Sequence, residues 1–349
     1  MNNQATTAKV MKESKNKIKV EFERTPLLQR LKAKFLNTYF LTNVVWYAFR
    51  LILLLGISYV ILYPFFAKIA GSLMGQEDFI DVTVFLIPKH WTLDTYKAIF
   101  VENQYMKAFA YTFLVSFSTA IAQTLICCLV GYGLAKFKFK GNAALMLAVI
   151  ITMVVPHGTV QLSMYMHFRY FDVFGLFGLL NKLGAWNQSF LVNLTGDNGI
   201  WPLILLSITG LAFKNGLYIF LMRQFYRGVP DELEESAYVD GSGTFRTFCQ
   251  IIIPLSVPMM VTIFLFAFCW QWTDNFYTDL FFANARKLVL MPDIVQIPSS
   301  LSTSYAGKNL FESAIRNTCG LMIIAPLVVL YLFCQKFLVQ GIERSGLVG

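Results

Sequence analysis

Apolar residues in this chain come in long uninterrupted runs, with neither the alternation of a strand nor the single stripe of a surface helix. Beyond a polar opening segment, uncharged stretches recur at lengths that match a bilayer, where about 20 residues of helix are needed. The run 51–67, extended by Trp46 and Tyr47 before it and by 69–71 after, predicts a first span over 46–71. Uncharged runs predict a second span over 108–135 and a third over 142–168. A fourth, 200–222, is interrupted by Lys214, and a fifth, 250–273, carries Pro254 and Pro258, which predict a bend or break. The sixth, 317–336, holds Pro326. The expectation is an all-α polytopic membrane protein with six transmembrane helices.

The opening segment, 1–41, has no long apolar run and so does not read as a signal peptide. Its first twenty residues are polar and basic enough to predict disorder. From Thr25, which can cap a helix that Pro26 opens, Leu27, Leu28, Leu31 and Phe35 form one stripe and Arg30, Lys32 and Lys34 another. That pattern predicts an amphipathic helix on the inner membrane surface, with a solvated linker as the alternative. The chain therefore divides into an N-terminal extension, 1–41, and a membrane domain, 42–349.

Composition agrees with this pattern. Over 349 residues the chain is 56% hydrophobic and 14% charged, which is too apolar for a soluble domain. Its net charge of +9 raises nucleic acid as a partner. The basic residues are, however, spread through the loops and do not form one patch interleaved with aromatics, so topology explains them better. With the N-terminus inside, eighteen of the 29 Lys and Arg fall on inner segments and nine on the outer ones. Both termini and the loop 228–254 are thereby placed in the cytoplasm. Cys127, Cys128, Cys249, Cys269, Cys319 and Cys334 all lie in or beside apolar runs with no metal spacing, so neither a disulfide framework nor a metal site is expected. His90, His157 and His167 are too scattered to hold a metal. No GxxxxGK[ST] phosphate loop and no convergent catalytic cluster are present, so the chain is expected to be non-catalytic and to bind no cofactor.

One stretch stands out between the fourth and fifth runs: PDELEESAYVDGSGTFRTFCQIIIP, from Pro230 to Pro254. Pro230 suits the first turn of a helix, and Asp231, Glu232, Glu234 and Glu235 favour the positive end of its dipole. Gly241 and Gly243 end that helix, and Leu233, Ala237 and Gly241 recur at i, i+4 and i+8, which predicts a small-residue face that another protein can approach. Glu235, Ser236, Ala237, Asp240 and Gly241, followed by Ile251, Ile253 and Pro254, resemble the EAA signature of membrane subunits of binding-protein-dependent ABC importers. Ser236 stands where the family usually has Ala, and Ile253 where it usually has Leu. LIPKHWTLDTY from Leu86, GYGLAKFKFKG ending at Gly141, Trp272 with Asp274, and the tail from Lys336 narrow the resemblance to the maltose-type carbohydrate permeases. It covers the chain from about Trp46 to Gly349.

The resemblance implies the type I ABC importer permease fold and a bacterial or archaeal cytoplasmic membrane. It implies four partners besides lipid: a cytoplasmic ABC ATPase dimer that binds ATP and Mg, a second homologous permease subunit, an extracytoplasmic solute-binding protein, and a carbohydrate, expected to be an oligosaccharide. Leu233, Glu235, Ser236, Ala237, Asp240, Gly241 and Pro254 would couple the chain to the ATPase. In the tail, Gln340 and Gly341 would touch it, although Ser345 and Leu347 depart from the family pattern. The outer loop 276–312 would reach the binding protein or serve as a plain connector. The alternatives are an ion-coupled secondary transporter, which needs internal repeats not apparent here, and an ABC importer for another solute.

A sugar pathway needs amides, hydroxyls and rings facing one cavity, and Gln161, Tyr165, Trp270 and Gln271 are candidates within the spans. Lys214 lies deep in its span, where an ammonium is costly. It either faces the pathway and favours an acidic saccharide, or snorkels or pairs with a carboxylate of a partner subunit.

Overall fold

The computed structural model describes residues 9–13, 17–21, 38–172, 175, 179, 182–183, 193–212, 214–283, 285, 288–302, 304 and 307–344. The chain forms two units, Met1–Ala67 and Lys68–Gly349. In the first, strands β1 (Lys9–Glu13) and β2 (Lys17–Glu21) pair antiparallel with Val10 opposite Val20, where the composition had predicted disorder. The expected surface helix from Thr25 to Phe35 lies outside the described residues. Helix α1, Thr38–Ser72, follows and carries the first span. Its apolar side chains, Leu54, Ile57 and Val60 among them, are exposed, as a lipid-facing helix requires.

The second unit is built around α3 (Tyr105–Lys136), which follows the short helix α2 (Asp94–Glu102). Against α3 pack α6 (Ile200–Ile208), α7 (Asn215–Arg227) and α9 (Thr244–Trp272), and α11 (Lys308–Arg344) packs on α9. The core between them is sulfur- and ring-rich, with Cys127, Tyr218, Met222, Tyr226 and Met259 among its buried members. Close approach is set by glycine: a Cβ on Gly131 would lie 2.5 Å from the Cβ of Met222, so α3 and α7 touch backbone to side chain there.

Among the described residues, four helices are long and apolar enough to cross a membrane, and α4 (Asn142–Val154) with the segment His157–Arg169 adds a pair bent by 93°, the geometry of a broken span or a re-entrant loop. This corrects the expected continuous third span, 142–168. Val155 is extended, as the residue before a proline prefers, and Pro156 turns the chain before α5 (Gln161–Arg169) resumes. The expected fourth span, 200–222, is likewise two helices, α6 and α7, interrupted at 209–214. Its freed backbone groups are met locally: Leu211 and Ala212 N–H both donate to the Leu206 carbonyl, and the Asn215 amide donates to that of Ser207 at 3.2 Å.

Prolines elsewhere leave similar debts. Pro326, inside α11, cannot donate to the Met322 carbonyl, and the Tyr105 hydroxyl of α3 donates to that oxygen at 3.0 Å. Trp272 Nε1 of α9 donates to the next carbonyl, Ile323, at 3.0 Å. In α9 the turn before Pro254 widens to a π-helix over Phe248–Ile252, while Pro258 is carried within the regular helix beyond it. The loop after α9 is packed more than a plain connector needs: α10 (Phe276–Phe282) buries Phe281, and Met291 N–H donates to Thr112 Oγ1 at 2.8 Å.

Candidate functional site

Between α7 and α9 the chain forms α8, Glu232–Val239, an eight-residue helix that begins two residues after Pro230 and ends two before Gly241. Asp231 precedes it with its carboxylate turned away from the helix N–H groups, because Lys136, in the last turn of α3, takes it at 2.5 Å. Lys136 also donates to the Val229 carbonyl at 2.6 Å and lies 3.6 Å from the Glu234 carboxylate. Glu234 is buried, and its other oxygen accepts from the Tyr132 hydroxyl at 3.1 Å. The Tyr132 ring packs on Phe248 of the π turn at 4.6 Å, so one patch of α3 grips both sides of the loop. The Lys136 ammonium beside Asp231 holds that carboxyl below the usual carboxylate range.

The C-terminal end of α8 is stopped by backbone geometry. Gly241 sits at φ +80°, Gly241 N–H donates to Tyr238 O, and Ser242 N–H donates to Ala237 O, the paired bonds of a Schellman motif. Nothing lies within 4 Å of a Cβ at Gly241, so what glycine supplies there is its left-handed backbone. Leu233, Glu235, Ser236, Asp240 and Gly241 are exposed on the loop, joined by Val239 at 88% and Phe245 at 77% exposure. Ala237, expected on that outer face, is instead turned into the fold at 5% exposure. The outward surface is therefore a small apolar patch rimmed by carboxylates, a composition suited to protein contact. Pro254 is not on it and belongs to the start of the regular helix after the π turn. Gln340 and Gly341 fall in the last turns of α11.

The second site lies where the α4–α5 break meets the α6–α7 break. Thr152, Val155, Pro156 and His157 at the α4–α5 break face Leu211, Ala212, Lys214 and Gly216 at the α6–α7 break across a cavity of about 300 Å³. Gly216 lets the two come together, since a Cβ there would lie 2.5 Å from Thr152 Oγ1. Lys214 is held at φ +69°, a left-handed conformation that costs a non-glycine residue about 1–2 kcal/mol. It lies about 13 Å along α7 from Arg223, and within a membrane span an ammonium costs about 2.5–3.5 kcal/mol. Its ammonium sits 4.6 Å from the centre of the Trp270 ring, a contact that offsets part of that cost.

Trp270 and Gln271 line a separate small space of about 10 Å³, room for no more than a water, with Gln123, Asp274 and Tyr277. The fold thus brings Lys214, Trp270 and Gln271 together from α7 and α9. Gln161 and Tyr165, on α5, do not line either space, and Tyr165 accepts from Arg169 at 2.6 Å. Sequence reasoning missed Lys136 and Tyr132 as anchors of the loop, and missed His157 as a neighbour of Lys214. The only signal for Lys136 was its place in the GYGLAKFKFKG stretch, and Pro156 was the signal for the break that delivers His157.

Residues 128–344 match the family model of the binding-protein-dependent transport system inner membrane component. The alpha-glucoside transport system permease protein AglG of Rhizobium meliloti (strain 1021) is 31% identical over 81% of this chain and 66% of its own length. The maltodextrin transport system permease protein MdxG of Bacillus subtilis (strain 168) is 25% identical over 84% of this chain and 93% of its own. A crystal structure of a bacterial ABC transporter involved in the import of the acidic polysaccharide alginate shares the fold, with a TM-score of 0.62 at 18% identity over 84% of this chain and 97% of that one. With a family match spanning more than half of its length and a helical membrane fold to go with it, this chain belongs to the binding-protein-dependent ABC importer permeases.

Proposed function

We propose that this chain is one of two homologous permease subunits through which an ABC importer passes a carbohydrate, an oligosaccharide by preference, received from an extracytoplasmic binding protein. The observation that carries this reading is α8: a short helix clamped to α3 at one end, stopped by Gly241 at the other, and presenting Leu233, Glu235, Ser236 and Asp240 outward. A separate cytoplasmic ATPase dimer, which binds ATP and Mg, receives that surface in a groove, and the last turns of α11 around Gln340 and Gly341 extend the contact. Both termini of the permease are cytoplasmic. The names of the relatives AglG and MdxG support a saccharide as the cargo.

Mechanically, closure of the ATPase on ATP displaces α8. Lys136 transmits that displacement to α3, and the π turn with Pro254 and Pro258 gives α9 a place to bend. The membrane helices then open outward to accept sugar, and hydrolysis by the partner resets them. Glu235→Lys reverses a charge on the exposed face of α8 without touching the Lys136 clamp. It is expected to abolish sugar-stimulated ATP hydrolysis in the reconstituted complex while membrane insertion and permease pairing persist. Purification of the complex discriminates further: an ATPase and a second permease should accompany the chain, and their absence would favour an ion-coupled transporter. Uptake of a non-sugar solute in place of every oligosaccharide offered would remove the carbohydrate part alone.

A further inference from the structure

The cavity at the two helix breaks contains chemistry that a plain passage for neutral sugar does not require. Lys214 is one of two non-glycine residues among those described with a left-handed backbone, and it stands at the α6–α7 break within an apolar run. Strain of this kind persists where the surroundings enforce it, and it concentrates at functional sites. The surroundings here are specific. Lys214 lines the cavity beside His157, at the amino end of α7 where the helix dipole is positive. Its ammonium overlies Trp270, about half of whose surface remains open. On the cleft that Trp270 shares with Gln271, the Gln123 side chain is only 4% exposed, and its Oε1 has no hydrogen-bond partner. The space beside that oxygen has room for a single water.

We propose that Lys214 and Trp270 form a charge-selective station for a saccharide that carries a carboxylate, an inference that rests on the carbohydrate reading above. The ammonium takes the carboxylate and the indole takes a C–H face of the ring. A single cation beside a stacking ring suits a monoanionic sugar acid. A phosphorylated sugar calls for the bidentate arginines or amide nests that phosphate sites use.

The test uses the complete complex, reconstituted with its own binding protein, and compares uptake and ATPase stimulation for a uronic-acid trisaccharide and a neutral trisaccharide. Lys214→Asn removes the charge, keeps hydrogen bonding and tolerates the left-handed backbone, so a failure to fold is not its expected effect. Wild type is expected to take up the uronate. Lys214→Asn should lower that uptake about 10- to 100-fold and spare the neutral sugar, and Lys214→Arg should retain most of it. Binding to the detergent-solubilised complex supplies a second readout: the uronate should quench tryptophan fluorescence, and Trp270→Phe should remove that quenching. Equal loss of both sugars in Lys214→Asn, or no quenching attributable to Trp270, overturns the station. Wild-type uptake of neutral but not acidic trisaccharides overturns it and leaves the carbohydrate reading intact. Uptake of neither sugar by an assembled complex overturns both.

Discussion

Asp78 and Asp274, in the segments that follow α1 and α9, titrate in opposite directions because burial competes differently with hydrogen bonding. Burial presses the Asp78 carboxyl upward, but the backbone N–H and imidazole of His90 and the Lys89 N–H outweigh it and hold the group below the usual carboxylate range. At Asp274 burial prevails over the N–H groups of Tyr277 and Thr278, and the carboxyl is pushed up to about 6. The linkage signs follow from these directions. Asp78 stabilises the folded loop above the unfolded value of about 4, and that contribution is lost as pH falls through the depressed folded value. Asp274 is bound to its proton more tightly in the folded state, so its contribution is greatest below about 4 and declines as pH rises toward 6. Amide protection factors around 75–92 should therefore hold steady from neutral pH to about 5 and fall below about 4, and Asp78→Asn should remove that dependence. Thermal unfolding of Asp274→Asn should lose the decline that the wild type shows between pH 4 and 6. None of this was legible in the sequence, since an aspartate's shift depends on which N–H groups the fold aims at it. Gly241 was legible, because a glycine after an acidic helix marks a C-terminal stop whatever surrounds it.

Among the elements, α8 owes its position to α3 more than to its own sequence. Eight residues are too few for an isolated helix to persist in water, so the clamp at Lys136 and the Schellman stop are what keep it formed. Lys136→Met leaves Glu234 buried with only the Tyr132 hydroxyl as partner. It should loosen α8 by about 2–3 kcal/mol, the cost of a charged hydrogen bond in such a setting. The expected readout is faster amide exchange over 232–241 together with a loss of sugar-stimulated ATP hydrolysis, while basal hydrolysis by the partner is unchanged. Unchanged exchange would show that Lys136 does not hold the helix. The acidic start and glycine end of α8 were readable in advance; its inward residue was not. Spacing groups Leu233, Ala237 and Gly241, but the side that turns inward is set by what α3 presents, and Glu234 with Ala237 went there.

For the whole molecule, the topology rests on the distribution of Lys and Arg and has a direct chemical test. Cys249 is exposed in the π turn that follows the loop, whereas Cys127, Cys128 and Cys319 are buried and Cys269 and Cys334 lie within spans. A membrane-impermeant maleimide should label Cys249 in inside-out vesicles and not in right-side-out ones, and a bound ATPase should slow the reaction. Labelling from the outside would reverse the proposed orientation. Hydropathy and charge alone determined that this is a multi-pass helical membrane protein, and the spaced residues from Glu235 to Pro254 alone determined its family. Those properties are local, because partitioning into a bilayer adds up residue by residue and a coupling surface is a short contiguous stretch. Only the tertiary structure decided that the third and fourth apolar runs are broken, that their breaks adjoin, and that Lys214 meets Trp270 from another helix. Hydropathy is blind to the direction of the backbone, so a run that turns by 93° at Pro156 scores the same as one that continues straight. The partner of a buried charge is likewise chosen by packing between helices far apart in the chain.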